Sequence, residues 1–245
     1  MTAVLLPRPA GSDADRDLLE RAGVTVVADP YISTTPLLDA DSMAARRRMA
    51  AALPDAALVV TSVRALSSFI EFCEVDRTST VFAIGPASAA AARAAGFVDV
   101  RLPDDGADNV ALVRLIARHR PETIVIPRST AAPSGLTDDL AALGIELHQE
   151  HIYTTLPVEQ RPDSADALAA GAFDAVIVRS GSAARALAQF VPRWPGRTAI
   201  VAGGRPSSLV LRELGMPVSA IAELPDPATV VATTLALLGI GEAHD

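Results

Sequence analysis

A long internal repeat constrains the fold of this chain more than any other feature of its sequence. One apolar run ends in Pro7-Arg8, and a second ends in Pro127-Arg128, 120 residues further along. Tyr153 follows Tyr31 at a spacing of 122 residues, and each tyrosine precedes threonine and proline. A solenoid repeat spans roughly 20–50 residues, so this repeat is too long to be one. It has the length of a small domain, which predicts two similar lobes.

Short apolar runs alternate with helical patterns from one end of the chain to the other. The segments 63–74 and 181–191 both carry apolar side chains at the spacing of a half-buried helix. Alternation of strands and helices predicts an α/β fold with parallel sheets flanked by helices. The predicted strands are 3–6, 24–28, 57–61, 81–84, 98–101, 124–127, 145–149, 175–178, 198–202 and 218–221.

The sequence allows two divisions into lobes. The first cuts the chain between the two repeats, near residue 122. The second starts from the Tyr-Thr-Pro segments 31–36 and 153–157, where proline suits a linker or an edge position. If both segments are linker strands, residues 37–152 form one lobe, and residues 1–30 together with 158–245 form the other.

Charge and hydropathy argue against two classes of partner. The net charge is −8, whereas a nucleic-acid-binding surface needs a basic stripe to neutralise phosphates. The basic run Arg46-Arg47-Arg48 is predicted to be a solvated face of a helix. No apolar run approaches the roughly 18 residues of a membrane span, so no membrane partner is expected.

Residue usage also excludes several chemistries. All 21 basic residues are arginine, so the chain offers neither a Schiff-base lysine nor the lysine of a phosphate-binding P-loop. The four histidines and the single cysteine lack zinc-ligand spacing, so no metal site is expected. One cysteine cannot form an internal disulfide, and the N-terminus does not read as a secretory signal, so we expect a cytoplasmic protein.

Small polar residues follow several of the predicted strands, at points where helices are expected to begin. In a parallel sheet these turns share the carboxyl edge, where helix N-termini present free N–H groups that can hold carboxylates or phosphates. The alternative is that Ser62, Ser129 and Ser180 only cap their helices. The turns are Thr61-Ser62-Val63, Gly85-Pro86-Ala87-Ser88, Arg128-Ser129-Thr130, Ser180-Gly181-Ser182 and Gly203-Gly204-Arg205.

These motifs, taken in order with their duplication, resemble the uroporphyrinogen-III synthase family over about residues 3–238. The resemblance implies two α/β lobes joined by a two-stranded linker, which favours the second division of the chain. It also implies a cyclising lyase that works without metal or cofactor on the linear tetrapyrrole hydroxymethylbilane and inverts its last ring. The motifs that carry the resemblance are Pro7-Arg8, Thr61-Ser62, Ala83-Ile84-Gly85-Pro86, Pro127-Arg128, the Tyr-x-Thr-x-Pro segment 153–157 and Ser180-Gly181-Ser182-Ala183.

The resemblance also suggests individual site residues. The family's tyrosine falls on Tyr153, which would protonate or hydrogen-bond the leaving hydroxyl of the substrate. The strand ends would bind the substrate carboxylates. No exposed apolar stripe is evident beyond those assigned to the sheets, so we expect the protein to be a monomer. The substrate-binding positions implied in this way are Ser62, Val63, Ser88, Arg128, Ser129, Ser180, Gly181 and Arg205.

The turn at 203–207 departs from the family pattern. The family usually has Gly-Pro-Thr-Thr-Ala there, whereas this chain has Gly203-Gly204-Arg205-Pro206-Ser207. Arginine could replace a lost hydroxyl or N–H contact with a charged one. The altered turn favours one alternative, a non-catalytic module of the same fold that binds a tetrapyrrole or another anion. A third reading is an unrelated two-lobed receptor for a small solute, and the lack of a signal peptide counts against it.

Overall fold

The computed structural model describes residues 2–8 and 14–241, which form two compact units. Unit 1 contains the residues up to Ser33 together with those from Leu156 onwards, and unit 2 is Thr34–Thr155. Each unit is built on a mostly parallel sheet with helices around it. Both boundaries between the units lie inside the Tyr-Thr-Pro segments 31–36 and 153–157.

The described residues form strands and helices in steady alternation. One 3₁₀ turn, Leu53–Asp55, leads into the fourth strand. In chain order the elements are β1 (Ala3–Leu6), α1 (Ala14–Arg21), β2 (Thr25–Ala28), β3 (Ile32–Pro36), α2 (Ala40–Ala52), β4 (Ala57–Val60), α3 (Val63–Ile70), β5 (Val81–Ala83), α4 (Pro86–Ala94), β6 (Val100–Arg101), α5 (Asn109–His119), β7 (Thr123–Ser129), α6 (Gly135–Ala142), β8 (Glu146–Pro157), α7 (Ala165–Ala169), β9 (Ala175–Val178), α8 (Gly181–Phe190), β10 (Ala199–Ala202), α9 (Arg205–Glu213), β11 (Ala220–Ile221) and α10 (Pro227–Leu237).

The two sheets share one strand order. The sheet of unit 1 runs β11-β10-β9-β1-β2, and that of unit 2 runs β6-β5-β4-β7-β8 with β3 added beyond β8. The strands related by the repeat occupy equivalent places, because β1 corresponds to β7 and β9 to β4. The pairs along both five-strand series are parallel. The predicted α/β fold with two similar lobes is confirmed.

Each unit has apolar cores of its own on the two faces of its sheet. In unit 2, Leu58 and Val60 contribute to one cluster and Val59 contributes to the other. In unit 1, Val176 and Val178 lie in one cluster, whereas Ile177 lies in the other. Alternate residues of a strand point to opposite faces, so helices on both sides bury these central strands completely.

Two glycines at matched positions of the repeat end matched helices. Gly23 follows α1 with φ +78° and Gly144 follows α6 with φ +77°. Their N–H groups donate to the carbonyls of Glu20 at 3.0 Å and Ala141 at 2.9 Å. A left-handed residue terminates a helix in this way, and glycine adopts that conformation without steric cost.

Three expectations drawn from local sequence are wrong. The strand predicted at 145–149 continues as β8 to Pro157, because after pairing with β7 it goes on to pair with β3. No helix opens at Arg128-Ser129-Thr130; α6 begins only at Gly135, after Pro133, which disfavours helical backbone in the residue before it. Arg46 is fully buried rather than solvated, although Arg47 and Arg48 are exposed.

Within residues 2–8 and 14–241, no helix has the length and apolarity required to cross a membrane.

Candidate active site

The carboxyl edge of the unit 2 sheet brings together three of the residues that sequence reasoning singled out. Ser62 follows β4, Ser129 ends β7, and Tyr153 lies on β8 directly opposite Ser129 in the strand register. The Tyr153 hydroxyl lies 3.2 Å from the Ser62 hydroxyl, and either oxygen can be the donor. Tyr153 is only 7% exposed and belongs to an apolar cluster of unit 2, so the core holds its ring in place.

Ser62 joins this hydroxyl pair to the start of a helix. Its Oγ accepts a hydrogen bond from the Ala65 N–H at 3.0 Å, which makes Ser62 the N-cap of α3. Val63, the first residue of that helix, has an exposed side chain. The N-terminal end of α3 carries the positive end of the helix dipole, so Tyr153 lies beside a place that favours a negative group.

Ser129 and Arg128 stabilise their own loop. The Ser129 Oγ accepts from the Ala131 N–H at 3.3 Å, which forms a local turn instead of a helix cap. The Arg128 guanidinium donates to Gln149 Oε1 at 2.6 Å and to Thr137 Oγ1 at 3.0 Å. It also donates to the carbonyls of Ala132 at 3.0 Å and Pro133 at 2.5 Å. Arg128 therefore holds the connection between β7 and α6, and its burial lowers the pKa of the guanidinium.

Ser88 lies in the first turn of α4 and is buried. Gly85 precedes this helix with extended backbone, and Pro86 begins it. Proline fits the first position of a helix because its missing N–H has no intrahelical partner there. What this turn can present to a ligand is mainly its backbone N–H groups.

Unit 1 has corresponding helix starts at its own carboxyl edge. Ser180 caps α8, since its Oγ accepts from the Ala183 N–H at 3.2 Å. Gly181 is packed closely against α9, because an added Cβ would lie 3.0 Å from Val210 Cγ2. Arg205 is the first residue of α9 and has an exposed side chain.

A cluster of charges in unit 1 was missed at the sequence level. Asp15, in the first turn of α1, is 1% exposed and accepts hydrogen bonds from two arginines that follow strands. Arg179 donates to its two oxygens at 2.8 and 2.9 Å, and Arg8 donates at 2.9 Å. Gly203 leaves room for this arrangement, because an added Cβ would lie 3.2 Å from the Arg179 Cα. The Pro-Arg repeat motif pointed to Arg8, but nothing local marked Asp15 as its partner.

The two matched tyrosines have different partners. The Tyr31 hydroxyl lies 3.1 Å from Ser164 Oγ, and its ring packs edge-on against Phe190 at 5.9 Å between centroids. Tyr31 is fully buried, and burial raises the pKa of its hydroxyl. Of this matched pair, Tyr153 is the one whose hydroxyl meets the capping serine that follows a central strand of its sheet.

A cavity of about 460 Å³ in unit 2 lies away from these residues. It is lined at the amino ends of β4, β5 and β7, by Ala57, Thr80 and Thr123 among others, and contains none of the predicted site residues. Among residues 2–8 and 14–241, no three His, Cys, Asp or Glu side chains are grouped so that they could hold a metal ion.

The family model described as uroporphyrinogen-III synthase HemD matches residues 13–232, which is most of the chain. The chain belongs to the uroporphyrinogen-III synthase family. Its fold is similar to that of a mutant uroporphyrinogen III synthase from the bacterium Thermus thermophilus, at 18% identity and a TM-score of 0.65, with 98% of this chain and 99% of that one covered. It is also similar to uroporphyrinogen-III synthetase from Helicobacter pylori 26695, at 16% identity and a TM-score of 0.66, with 97% and 100% covered. No curated protein sequence matches the chain.

In this member of the uroporphyrinogen-III synthase family, the predicted site residues fall into two groups. In unit 2, Tyr153 forms a hydrogen bond with Ser62 and lies opposite Ser129 in the strand register. In unit 1, Ser180 and Gly181 open α8, and Arg205 opens the neighbouring α9. The structure also gives Ser62 and Ser180 the capping role that was the alternative to ligand binding, and capping leaves other N–H groups of the first turn available.

Proposed function

We propose that this protein closes hydroxymethylbilane into uroporphyrinogen III with inversion of the last ring, as a lyase, and that Tyr153 assists the loss of the terminal hydroxyl. The observation that carries the proposal is the hydrogen-bonded pair of Tyr153 and Ser62, 3.2 Å apart at the sheet edge. A phenol held in this way is a proton donor in a fixed position, which is what a leaving hydroxyl requires.

The reaction needs one proton and a folded substrate. The leaving hydroxyl departs as water when Tyr153 donates its proton, and the Ser62 hydroxyl can donate a hydrogen bond to the phenolate that is left. The resulting cation is attacked by the substituted carbon of the far ring, which gives a spiro intermediate. That intermediate fragments and closes again in the inverted sense, and the closing ring carbon loses the proton that restores the Tyr153 hydroxyl. General acid help of this kind contributes about 10²–10⁴-fold.

The helix starts that carry the other predicted site residues fit the task of binding carboxylates. The N-termini of α3 and α4 in unit 2, and of α8 and α9 in unit 1, offer N–H groups and a positive dipole end. Arg205 adds an exposed guanidinium at the start of α9, where Pro206 offers no N–H. We propose that these groups hold the carboxylates of the substrate, and that the protein acts as a monomer in the cytoplasm.

Replacing Tyr153 tests the proposed acid. Tyr153→Phe removes the hydroxyl and keeps the buried ring, so we expect kcat to fall by about 10²-fold, with the loss of one hydrogen bond costing only about 1 kcal/mol of stability. Turnover is measured with hydroxymethylbilane made in situ by the upstream deaminase, followed by oxidation and separation of the isomers.

Tyr31→Phe is the matched control. It removes an equally hydrogen-bonded hydroxyl from the other copy of the repeat, and we expect it to leave kcat within about twofold. If Tyr153→Phe retains the turnover of the unmodified protein, Tyr153 is not the acid.

The second candidate is a non-catalytic module that binds a tetrapyrrole. The observation that favours it is the Arg205-Pro206 start of α9, which departs from the family pattern at a helix N-terminus. The same isomer separation distinguishes the two. Type III product supports the enzyme, whereas tight porphyrinogen binding with only the spontaneous type I product supports the module.

A further inference from the structure

A buried guanidinium in unit 2 contacts both elements that carry the Tyr153–Ser62 pair. Arg46 lies on α2 and has 0% exposure, although it stands in a run of three arginines. In the described part of the chain, the oxygens that accept hydrogen bonds from it are all backbone carbonyls. They are Ser68 O from Nε at 3.1 Å, Leu37 O from Nη1 at 2.5 Å, Ser42 O from Nη1 at 3.3 Å, and Ile152 O from Nη2.

One of these carbonyls fixes the strand just before the tyrosine. The Ile152 carbonyl accepts from Arg46 Nη2 and also from the Leu37 N–H at 2.9 Å. The next residue is Tyr153, whose own carbonyl accepts from the Thr130 N–H at 3.0 Å. The peptide groups on both sides of the Tyr153 Cα are therefore held, and Arg46 supplies one of the contacts.

Another carbonyl fixes the helix that carries the serine. Ser68 lies on α3, which Ser62 caps, and the Ser68 carbonyl accepts from Arg46 Nε at 3.1 Å. The planar guanidinium has donors on separate nitrogens at fixed angles, so one side chain can set the spacing between a strand and a helix. The ring of Phe72, just beyond α3, has its centroid 5.3 Å from the guanidinium carbon and covers it.

Burying the Arg46 guanidinium costs desolvation free energy, so its buried position has to have a structural reason. Removing a charge from water carries a desolvation cost, and a well-packed apolar side chain in its place is often as stabilising as a buried charge with its partner. An arginine that instead joins α2, α3 and β8 through carbonyls gives those elements a defined geometry.

We propose that Arg46 is a positioning residue that sets the geometry of the Tyr153–Ser62 hydrogen bond by clamping β8 to α3. This inference rests on the proposed function for its effect on turnover, and on geometry alone for its effect on Tyr153. Misplacing a reacting group by about 1 Å costs up to about 10²-fold in rate.

The test compares Arg46→Met, which keeps the length of the side chain and removes its donors, with Arg47→Met on the exposed side of the same helix. We expect Arg46→Met to lower kcat by about tenfold or more, with KM changed by less than about threefold, because substrate binding is left intact. Arg47→Met is expected to change neither constant.

A spectroscopic measurement separates positioning from general destabilisation. The chain has two tyrosines, so NMR of protein with isotope-labelled tyrosine gives two ring signals, and Tyr31→Phe assigns them. We expect Arg46→Met to shift the Tyr153 signal and leave the Tyr31 signal in place. An unmoved Tyr153 signal, or equal shifts of both signals, overturns the proposal.

Arg46→Lys serves as the second variant if Arg46→Met does not fold, because lysine keeps a charge but cannot reach three separate carbonyls in one plane. The same spectral criterion applies to it. If Tyr153→Phe retains full turnover, the catalytic role of Tyr153 fails, and the NMR comparison still decides whether Arg46 positions the ring.

Discussion

At the scale of single residues, identical side chains at equivalent positions of the repeat have different hydrogen-bond partners. Tyr31 and Tyr153 are equivalent in the repeat, but only Tyr153 bonds to a serine that caps the helix after a central strand. Arg8 and Arg128 are equivalent too, yet Arg8 pairs with a buried carboxylate and Arg128 with its own loop. These differences depend on what lies opposite each residue in the fold.

The buried carboxylate Asp15 provides a test at this scale. Asp15→Asn leaves Arg8 and Arg179 without their shared anion at the sheet edge, so we expect the free energy of unfolding to fall by about 2–3 kcal/mol. Urea unfolding followed by circular dichroism measures the change. Asp17→Asn, in the same turn but exposed, is the control and should stay within about 0.5 kcal/mol of the unmodified protein.

At the scale of elements, the helix starts show which local patterns are reliable. The capping role of Ser62 and Ser180 is confirmed, since the acceptor and the donor are three residues apart in both cases. Ser129 also follows a buried apolar run, but it is the last residue of β7, and the next helix begins only at Gly135, after Pro133. Capping is local chemistry, whereas the end of a strand depends on its pairing partner.

Asp226 at the start of α10 gives a prediction about pH. Its carboxylate accepts from the Thr229 N–H at 2.9 Å and the Thr229 hydroxyl at 2.7 Å. These bonds, the backbone one first, hold the pKa of Asp226 below its ordinary value of 3.8. A folded-state pKa below the unfolded one means that the contribution is present above about pH 4 and is lost as the pH falls through the folded-state pKa.

Two substitutions separate the cap from its charge. Asp226→Ala is expected to cost about 1 kcal/mol at neutral pH, and that cost should shrink at about pH 3 as the aspartate is protonated. Asp226→Asn keeps a capping oxygen and cannot titrate, so its stability relative to the unmodified protein should rise on acidification. The midpoints of urea unfolding at the two pH values measure the effects of both substitutions. An equal cost of Asp226→Ala at the two pH values would contradict the role of Asp226 as a charged cap.

At the scale of the whole molecule, the sequence repeat does not coincide with the compact unit of the fold. Each compact unit has its own apolar clusters, and those of unit 2 draw their buried residues only from the stretch between Met49 and Tyr153. A cut near residue 122 would instead separate β1 from β9 and β4 from β7, and so divide both sheets.

Fragments of the chain test this organisation. We expect residues 34–155 to fold alone and unfold cooperatively, because they contain both apolar clusters and all strands of their sheet apart from two end residues each of β3 and β8. The first sequence repeat, residues 1–122, should not fold, since it lacks β9, which pairs with β1, and β7, which pairs with β4. Circular dichroism and urea titration of both fragments measure this; a cooperative 1–122 would contradict it.

The duplication, the α/β class, most strand positions and the capping serines are predictable from the order of residues alone. The duplication is visible when the two halves of the sequence are compared, and the others follow from periodicity, composition or contacts over a few residues, so short windows predict them. The folded structure alone brings Tyr153 to Ser62 across 91 residues and Arg46 to Ile152 across 106. It also buries Arg46 while Arg47 beside it is exposed. Such contacts exist only when distant strands and helices pack together, and no local pattern specifies which side chains then face each other.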